Sequence, residues 1–172
     1  NAFPQVICKN KKLTTLQISN DTETVLGWND WNNEQYWEGS DTFEDSFGSE
    51  ITDIPSEIQA LENLESLQLF GLQLSCITDE IGGLRNLKRL EVYDNSLTEL
   101  PQSIGELVQL EYLSLYKNTA LKLPDTLNNL TSLKELRMEI VEEDVMISFK
   151  SLQHAMILCQ SEISPDQISV LQ

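Results

Sequence analysis

The chain has 172 residues, of which 40% are hydrophobic and 23% charged, as expected for a globular domain with its own core. Its 28 acidic and 11 basic residues give a net charge of −17, which disfavours nucleic acid and anionic membrane surfaces as partners. No apolar run approaches the roughly 18 residues of a membrane-spanning helix. The composition is that of a soluble protein, and its acidity leaves basic protein surfaces and divalent cations as candidate partners. The alternative is that the acidity only maintains solubility. Because the chain begins at Asn1, an exported form with its leader removed is one expectation and a cytoplasmic form the other.

A 23-residue spacing runs through the middle of the chain. Pro55, Pro101 and Pro124 lie on it, and Thr78 fills the vacant position. Apolar residues recur 3, 6, 9, 12 and 14 positions beyond each of the four. In one repeat these residues are Ile104, Leu107, Leu110, Leu113 and Leu115. With variable spacing the same offsets continue toward both ends, so the sequence predicts six repeats and a truncated seventh.

The offsets have a physical meaning. Positions 12 and 14 lie two residues apart, which is the period of a β-strand with one buried face. Positions 3, 6 and 9 place one apolar side chain inward at each tight turn of a connecting arm. Neither strand nor arm can bury its apolar side alone, but stacked repeats bury both. The pattern therefore predicts a single α/β solenoid domain over residues 1–172, with a parallel sheet along one side.

One segment shows the repeat most clearly. Residues 97–118 read LTELPQSIGELVQLEYLSLYKN, which resembles the 23-residue leucine-rich repeat of bacterial repeat proteins and intracellular scaffolds. The resemblance implies a curved horseshoe with a concave parallel sheet, short helical or 3-10 arms on the convex side, and a function in protein binding. It also implies that an asparagine after each strand bonds to neighbouring turns. Asn95 and Asn118 occupy that position, and replacements elsewhere predict a broken ladder toward both ends.

The first predicted strand, Thr14–Ile18, is followed by an insertion. From Ile18 to Ile51 the chain takes 33 residues where a regular repeat needs five, and the surplus lies within residues 21–50. This segment has nine acidic residues and no lysine or arginine. Disordered linkers are usually poor in aromatic residues, so we expect the insertion to pack on something. Its candidate contact residues are Trp28, Trp31, Tyr36 and Trp37.

Three interpretations of the insertion stay open. One is an ordered lid that covers the edge of the first strand. The second is a binding loop over the concave face, since an acidic and aromatic surface suits a basic, hydrophobic partner. The third is a calcium site at Asp41, Glu44 and Asp45, although the regular calcium-loop pattern is absent. Under this third interpretation calcium is the cofactor, and the chain is a structural or adhesion module at a surface.

Residues between the buried strand positions identify the exposed face of the predicted sheet. Phe70, Tyr93 and Tyr116 share one offset in consecutive repeats, so we expect a column of rings at the roughly 4.8 Å spacing of strands. Exposed aromatic residues beside arginines are typical of interface hot spots. Cross-strand stacking that stabilises the sheet is a compatible alternative. The predicted binding surface is Gln68, Phe70, Arg89, Glu91, Tyr93, Tyr112, Tyr116 and Arg137.

The last part of the chain departs from the regular pattern. The interval shortens from 23 to 19 residues after Pro124, and residues 143–172 are predicted to form degenerate capping repeats. The only histidine, His154, lies five residues before Cys159, and no carboxylate is placed by spacing to orient it. The sequence also lacks a glycine-rich phosphate loop and a His/Cys metal cluster. It therefore predicts a binding module and not an enzyme.

Overall fold

The computed structural model describes residues 3, 5–19, 42–46, 51–118, 121–140 and 154–159. Within these residues, seven strands form one parallel sheet in the order β2-β1-β3-β4-β5-β6-β7. From β3 to β7 the order follows the chain, whereas β2 lies on the far side of β1. The strands are β1 (Thr15–Ser19), β2 (Thr42–Ser46), β3 (Ser66–Phe70), β4 (Arg89–Glu91), β5 (Tyr112–Ser114), β6 (Glu135–Ile140) and β7 (His154–Cys159).

Short 3-10 helices form the connecting arms. In the four central repeats, the residue directly before each helix is the proline or threonine of the 23-residue spacing. Its backbone is extended, with ψ between 147° and 154°. Proline suits this place because its φ is already fixed near the helical value and the first turn does not need its missing N–H. The described arm helices are Gln5–Lys9, Ser56–Ala60, Asp79–Gly83, Gln102–Glu106 and Asp125–Asn129.

The register of the sheet follows the predicted repeat period, because paired residues in β3 to β6 are 23 positions apart. Leu67 pairs with Leu90, Leu90 with Leu113, and Leu113 with Leu136. All four side chains are fully buried, and every predicted inward position of the four central repeats is 3% exposed or less. The repeat solenoid predicted by the spacing, of the leucine-rich kind that the resemblance implies, is therefore confirmed.

The core also includes apolar residues that the five offsets omit. They lie in the turns between a strand and the next arm, where no strand or helix period applies. Their burial thickens the core at the ends of the strands, so each repeat contributes more than the five predicted side chains. The members are Ile51, Ile54, Leu72, Leu74, Ile77, Leu97 and Leu100.

Two asparagines join neighbouring repeats, as the resemblance implied. Asn95 accepts hydrogen bonds from the N–H groups of Leu72 and Leu74, both at 3.1 Å, and donates to the carbonyl of Leu69 at 2.9 Å. Asn118 occupies the same position one repeat later and is 1% exposed. These side chains satisfy backbone groups where the strand ladder ends.

Strand β1 has neighbours on both sides. Thr15 pairs with Ser66 of β3 on one side and with Thr42 of β2 on the other. Strand β2 belongs to the insertion, residues 21–50. Part of the insertion therefore pairs with the edge of β1 that the lid interpretation expected it to cover. Glu44 and Asp45 are described only in their backbone, as members of β2. The other residues named for the insertion lie outside the described part: Trp28, Trp31, Tyr36, Trp37 and Asp41.

At the opposite end, β7 pairs with β6 in the same parallel sense, with Glu135 opposite His154. Only residues 154–159 of the predicted capping segment 143–172 are described, and these only in their backbone. The assignment of the whole segment as capping repeats therefore stays a prediction.

Candidate binding face

The sheet register brings the predicted binding residues together on one face. One row across the strands contains Ser66, Arg89, Tyr112 and Glu135, and the next contains Gln68, Glu91, Ser114 and Arg137. The strands alternate these residues with buried leucines, so their side chains share the face away from the core. Gln68 donates a hydrogen bond to the Ser66 hydroxyl at 3.3 Å. The face is a continuous surface built from neighbouring repeats.

The rings of Phe70 and Tyr93 stack on this face. Their centroids lie 4.9 Å apart and their planes differ by 7°. This separation matches the strand spacing, so two aromatic side chains in register meet ring face to ring face and leave their edges outward. The predicted column of three rings is thus found as a stack of Phe70 and Tyr93. Tyr116 is joined to the neighbouring repeat through its backbone, since its carbonyl accepts from the N–H of Asp94 at 2.9 Å. The stack stabilises the sheet and also holds two rings rigidly at its surface.

Tyr112 is the second aromatic centre of the face. The guanidinium carbon of Arg89, on β4, lies 3.9 Å from the centroid of the Tyr112 ring. That of Arg137, on β6, lies 5.4 Å from the same centroid. Cations near the electron-rich face of an aromatic ring are attracted by its quadrupole. Three successive strands thus supply one cluster, which we call the Tyr112 cluster: Arg89, Glu91, Tyr112, Glu135 and Arg137.

Carboxylates of the Tyr112 cluster fix both guanidinium groups. Arg89 Nε donates to Glu91 Oε1 at 2.7 Å. Arg137 donates from Nε at 2.8 Å, with Nη2 at 2.7 Å, to Oε1 of Glu135. The hydrogen bond to Glu135, and then the proximity of Tyr112, raise the pKa of Arg137 above its ordinary value. Glu135 is not among the predicted binding residues, although the repeat spacing places it on the same face, two residues before Arg137 on one strand.

Charges along the sheet side are balanced by short pairs. Lys88 lies 2.9 Å from Glu65, Lys134 lies 2.7 Å from Glu111, and Lys117 lies 3.7 Å from Asp94. With the two arginine pairs, every cation in the described strands and their flanking residues of the central repeats has a carboxylate partner. Such exposed pairs add little stability, but they determine the local field. Each cation on this side of the sheet is therefore neutralised locally by a neighbouring carboxylate.

The described residues show no further chemical centre. They contain no group of three or more His, Cys, Asp or Glu side chains placed to hold a metal ion. Burial and the nearby Glu57 raise the pKa of the Cys8 thiol to about 11, while Cys76 is exposed. His154 and Cys159 are both described only in their backbone. No helix in the described ranges has the length and apolarity of a membrane span.

Comparisons with known proteins agree with this architecture. A family model described as a leucine-rich repeat region matches residues 55–161, more than half of the chain. A leucine-rich-repeat protein of Leptospira interrogans matches with a TM-score of 0.55 and 22% identity, over 74% of this chain and 39% of its own. This chain thus spans about two fifths of that protein's length. No significant match is found among curated protein sequences.

Two further solved structures are more distant. The leucine-rich-repeat ectodomain of the receptor kinase SOBIR1 from Arabidopsis thaliana gives a TM-score of 0.45 at 22% identity, over 62% of each chain. An internalin of Listeria monocytogenes gives 0.44 at 20% identity, over 88% of this chain and 50% of its own. The chain belongs to the leucine-rich-repeat family, whose members serve in general as non-enzymatic scaffolds for protein interaction.

Proposed function

We propose that this chain is a protein-recognition module that binds its partner through the sheet face around Tyr93 and Tyr112. The observation that supports it is the Tyr112 cluster beside the Phe70–Tyr93 stack, on strands β3 to β6. Tyrosine and arginine are the residue types enriched at interface hot spots. Here Arg89, Tyr112 and Arg137 project from strands β4 to β6, and Tyr93 lies two residues beyond the end of β4.

Rigidity favours binding because little side-chain freedom is left to lose. The Tyr93 ring is stacked on Phe70, and Tyr112 lies between two arginines that are each fixed by a carboxylate. Ordering a mobile side chain at an interface costs roughly 0.5–1.5 kcal/mol, and these residues are already ordered. The two arginine side chains remain accessible to a partner, since Arg89 is 44% exposed and Arg137 is 43% exposed.

The acidity of the whole chain supports a partner with a basic surface. A net charge of −17 attracts such a protein and speeds encounter, most strongly at low ionic strength. We further propose that the acidic, tryptophan-rich insertion aids binding. The composition of the insertion supports this proposal, because acidic and aromatic side chains together suit a basic, hydrophobic partner. The aromatic residues proposed to contact it are Trp28, Trp31, Tyr36 and Trp37.

The experiment is a capture of the partner with a face variant as control. Purified chain and the Phe70→Ala/Tyr93→Ala/Tyr116→Ala variant are immobilised, retained proteins are identified by mass spectrometry, and the strongest is purified. Its dissociation constant should rise about 30-fold for Tyr93→Ala, which corresponds to about 2 kcal/mol. Val108→Ala is the matched control, because Val108 is an exposed apolar side chain away from the strands.

Affinity that is unchanged by Tyr93→Ala and by the triple variant would place the binding site elsewhere. Thermal melting of each variant separates lost binding from lost folding. The alanine variants should retain a cooperative transition, since none of these side chains belongs to the buried core.

A further inference from the structure

We infer that the Tyr112 cluster recognises a carboxylate of the partner, from an aspartate or glutamate side chain at its contact surface. This inference rests on the proposed function, since it concerns the same face. It departs from what the net charge of −17 suggests, because an acidic chain is expected to avoid acidic groups. The reason lies in how the cluster arranges its charges.

The cations of the cluster are more accessible than the anions. The side chains of Arg89 and Arg137 are 44% and 43% exposed, whereas those of Glu91 and Glu135 are 13% and 33% exposed. A group approaching from outside therefore has more arginine than glutamate side-chain surface to contact, most clearly at the Arg89–Glu91 pair.

Both arginines keep donors for a further acceptor. Arg89 uses Nε on Glu91, and Arg137 uses Nε and Nη2 on a single oxygen of Glu135. A guanidinium has five N–H donors in a planar fork, so neither group is saturated by these contacts. Hydrogen bonds from a guanidinium to a carboxylate are roughly twice as strong as neutral ones. A carboxylate is thus the side-chain group that uses these donors best.

Repulsion from the rest of the chain does not prevent such a contact. Three acidic residues beside the face, Glu65, Asp94 and Glu111, are each paired with a lysine. Charges more than about 8 Å away are largely screened at physiological ionic strength. The partner that fits is a protein with a neutral or basic surface on which one carboxylate is set to reach Tyr112.

The test uses a probe of defined chemistry. A phage-displayed library of random peptides is selected on the full chain, and enriched peptides are synthesised in two forms. One form carries the selected Asp or Glu and the other carries Asn or Gln in its place. Dissociation constants are measured by calorimetry for both forms, on the unmodified chain and on its variants.

Two charge-matched double variants make the test specific. Arg89→Gln/Arg137→Gln removes two positive charges from the Tyr112 cluster, and Lys88→Gln/Lys134→Gln removes two from the neighbouring pairs. We expect the acidic form to bind the unmodified chain and the lysine variant roughly tenfold more tightly than the amide form. The arginine variant should bind both forms equally weakly.

Two outcomes would overturn the inference. Peptides that lose affinity with Tyr93→Ala but bind equally as acid and amide would refute carboxylate recognition and leave the proposed function standing. Peptides that are insensitive to Tyr93→Ala and to both double variants would refute both. If the arginine-to-glutamine variant melts poorly, Arg89→Lys/Arg137→Lys replaces it, since it retains charge but loses the planar fork and should reduce the preference for acid.

Discussion

The side-chain amide of Asn118 donates a 2.7 Å hydrogen bond to the backbone carbonyl of Val92 in the preceding repeat. The same nitrogen donates to the carbonyl of Leu115 at 2.9 Å, and Oδ1 accepts from the N–H of Leu97 at 3.1 Å. One buried side chain thus satisfies backbone groups on both sides of a repeat boundary. The strands end here, so these groups have no sheet partner to replace it.

Replacing this asparagine should destabilise the solenoid strongly. Asn118→Ala leaves several buried backbone groups without a partner, each at a cost of about 1–3 kcal/mol, so we expect a loss of roughly 3 kcal/mol or more in the free energy of unfolding. Urea denaturation measures it. Asn128→Ala is the control, because that exposed side chain bonds only to Asp125 within its own turn. Equal effects of the two substitutions would contradict the structural role of Asn118.

The fully buried strand leucines provide a test of the register. Leu90→Ala and Leu113→Ala should each lower the free energy of unfolding by roughly 2–5 kcal/mol, because each leaves a cavity in the middle of the core. Val108→Ala removes an apolar side chain that is 49% exposed and should cost less than about 1 kcal/mol. Thermal and urea melting check both. A small effect at Leu113 would mean that the register is wrong.

Gly105 allows two arm helices to pack closely. A Cβ at this position would lie 2.4 Å from the carbonyl oxygen of Thr126 and 2.7 Å from its Cβ, in the next arm. Backbone cannot swing aside as a long side chain does, so Gly105→Ala should cost roughly 1–3 kcal/mol through overpacking. Gly83→Ala should cost less, since its nearest contact, the Cβ of Gln59, is farther away at 2.9 Å. Urea denaturation of the two variants should show this order, and the reverse order would contradict it.

The buried thiol of Cys8 should be unreactive in the folded protein. Its pKa of about 11 lies above the ordinary 9.0, so it is protonated at neutral pH, whereas Cys76 is exposed. Iodoacetamide at pH 8 should label Cys76 and should reach Cys8 only in denaturant, as read by peptide mass spectrometry. Because the folded pKa is raised, the contribution of this thiol to stability is full below about pH 9 and is lost as pH rises toward about 11. Rapid labelling of Cys8 in the native protein would contradict its burial.

The insertion can be tested by removing it. Deleting residues 22–49 takes away β2, whose backbone pairs with β1, and exposes an unpaired strand edge. We expect a lower melting temperature for the N-terminal repeats or edge-to-edge self-association, measured by calorimetry and analytical ultracentrifugation. A deletion variant that stays monomeric, keeps its melting temperature and loses only partner binding would favour the binding-loop interpretation. Melting with and without calcium separates the cation-site interpretation from both.

The regular part of the molecule follows from its sequence. Side-chain burial in a repeat solenoid depends on periodic spacing alone, so the offsets identified the core leucines and the exposed face, including Tyr93 beside Phe70 and Tyr112 beside Arg89. They also separated the insertion from the repeats, because it breaks the period. The asparagine positions came from the resemblance and were found to bond as it implied.

Tertiary structure decided what periodicity does not encode. A non-periodic segment has no register of its own, so only the fold could place residues 42–46 on the outer edge of β1 and not between β1 and β3. A long charged side chain has several possible partners within reach, so the spacing did not predict the salt bridges of Arg89 with Glu91 and of Arg137 with Glu135. It also did not reveal that these arginines are more exposed than their carboxylates, since exposure depends on how the whole cluster packs around Tyr112.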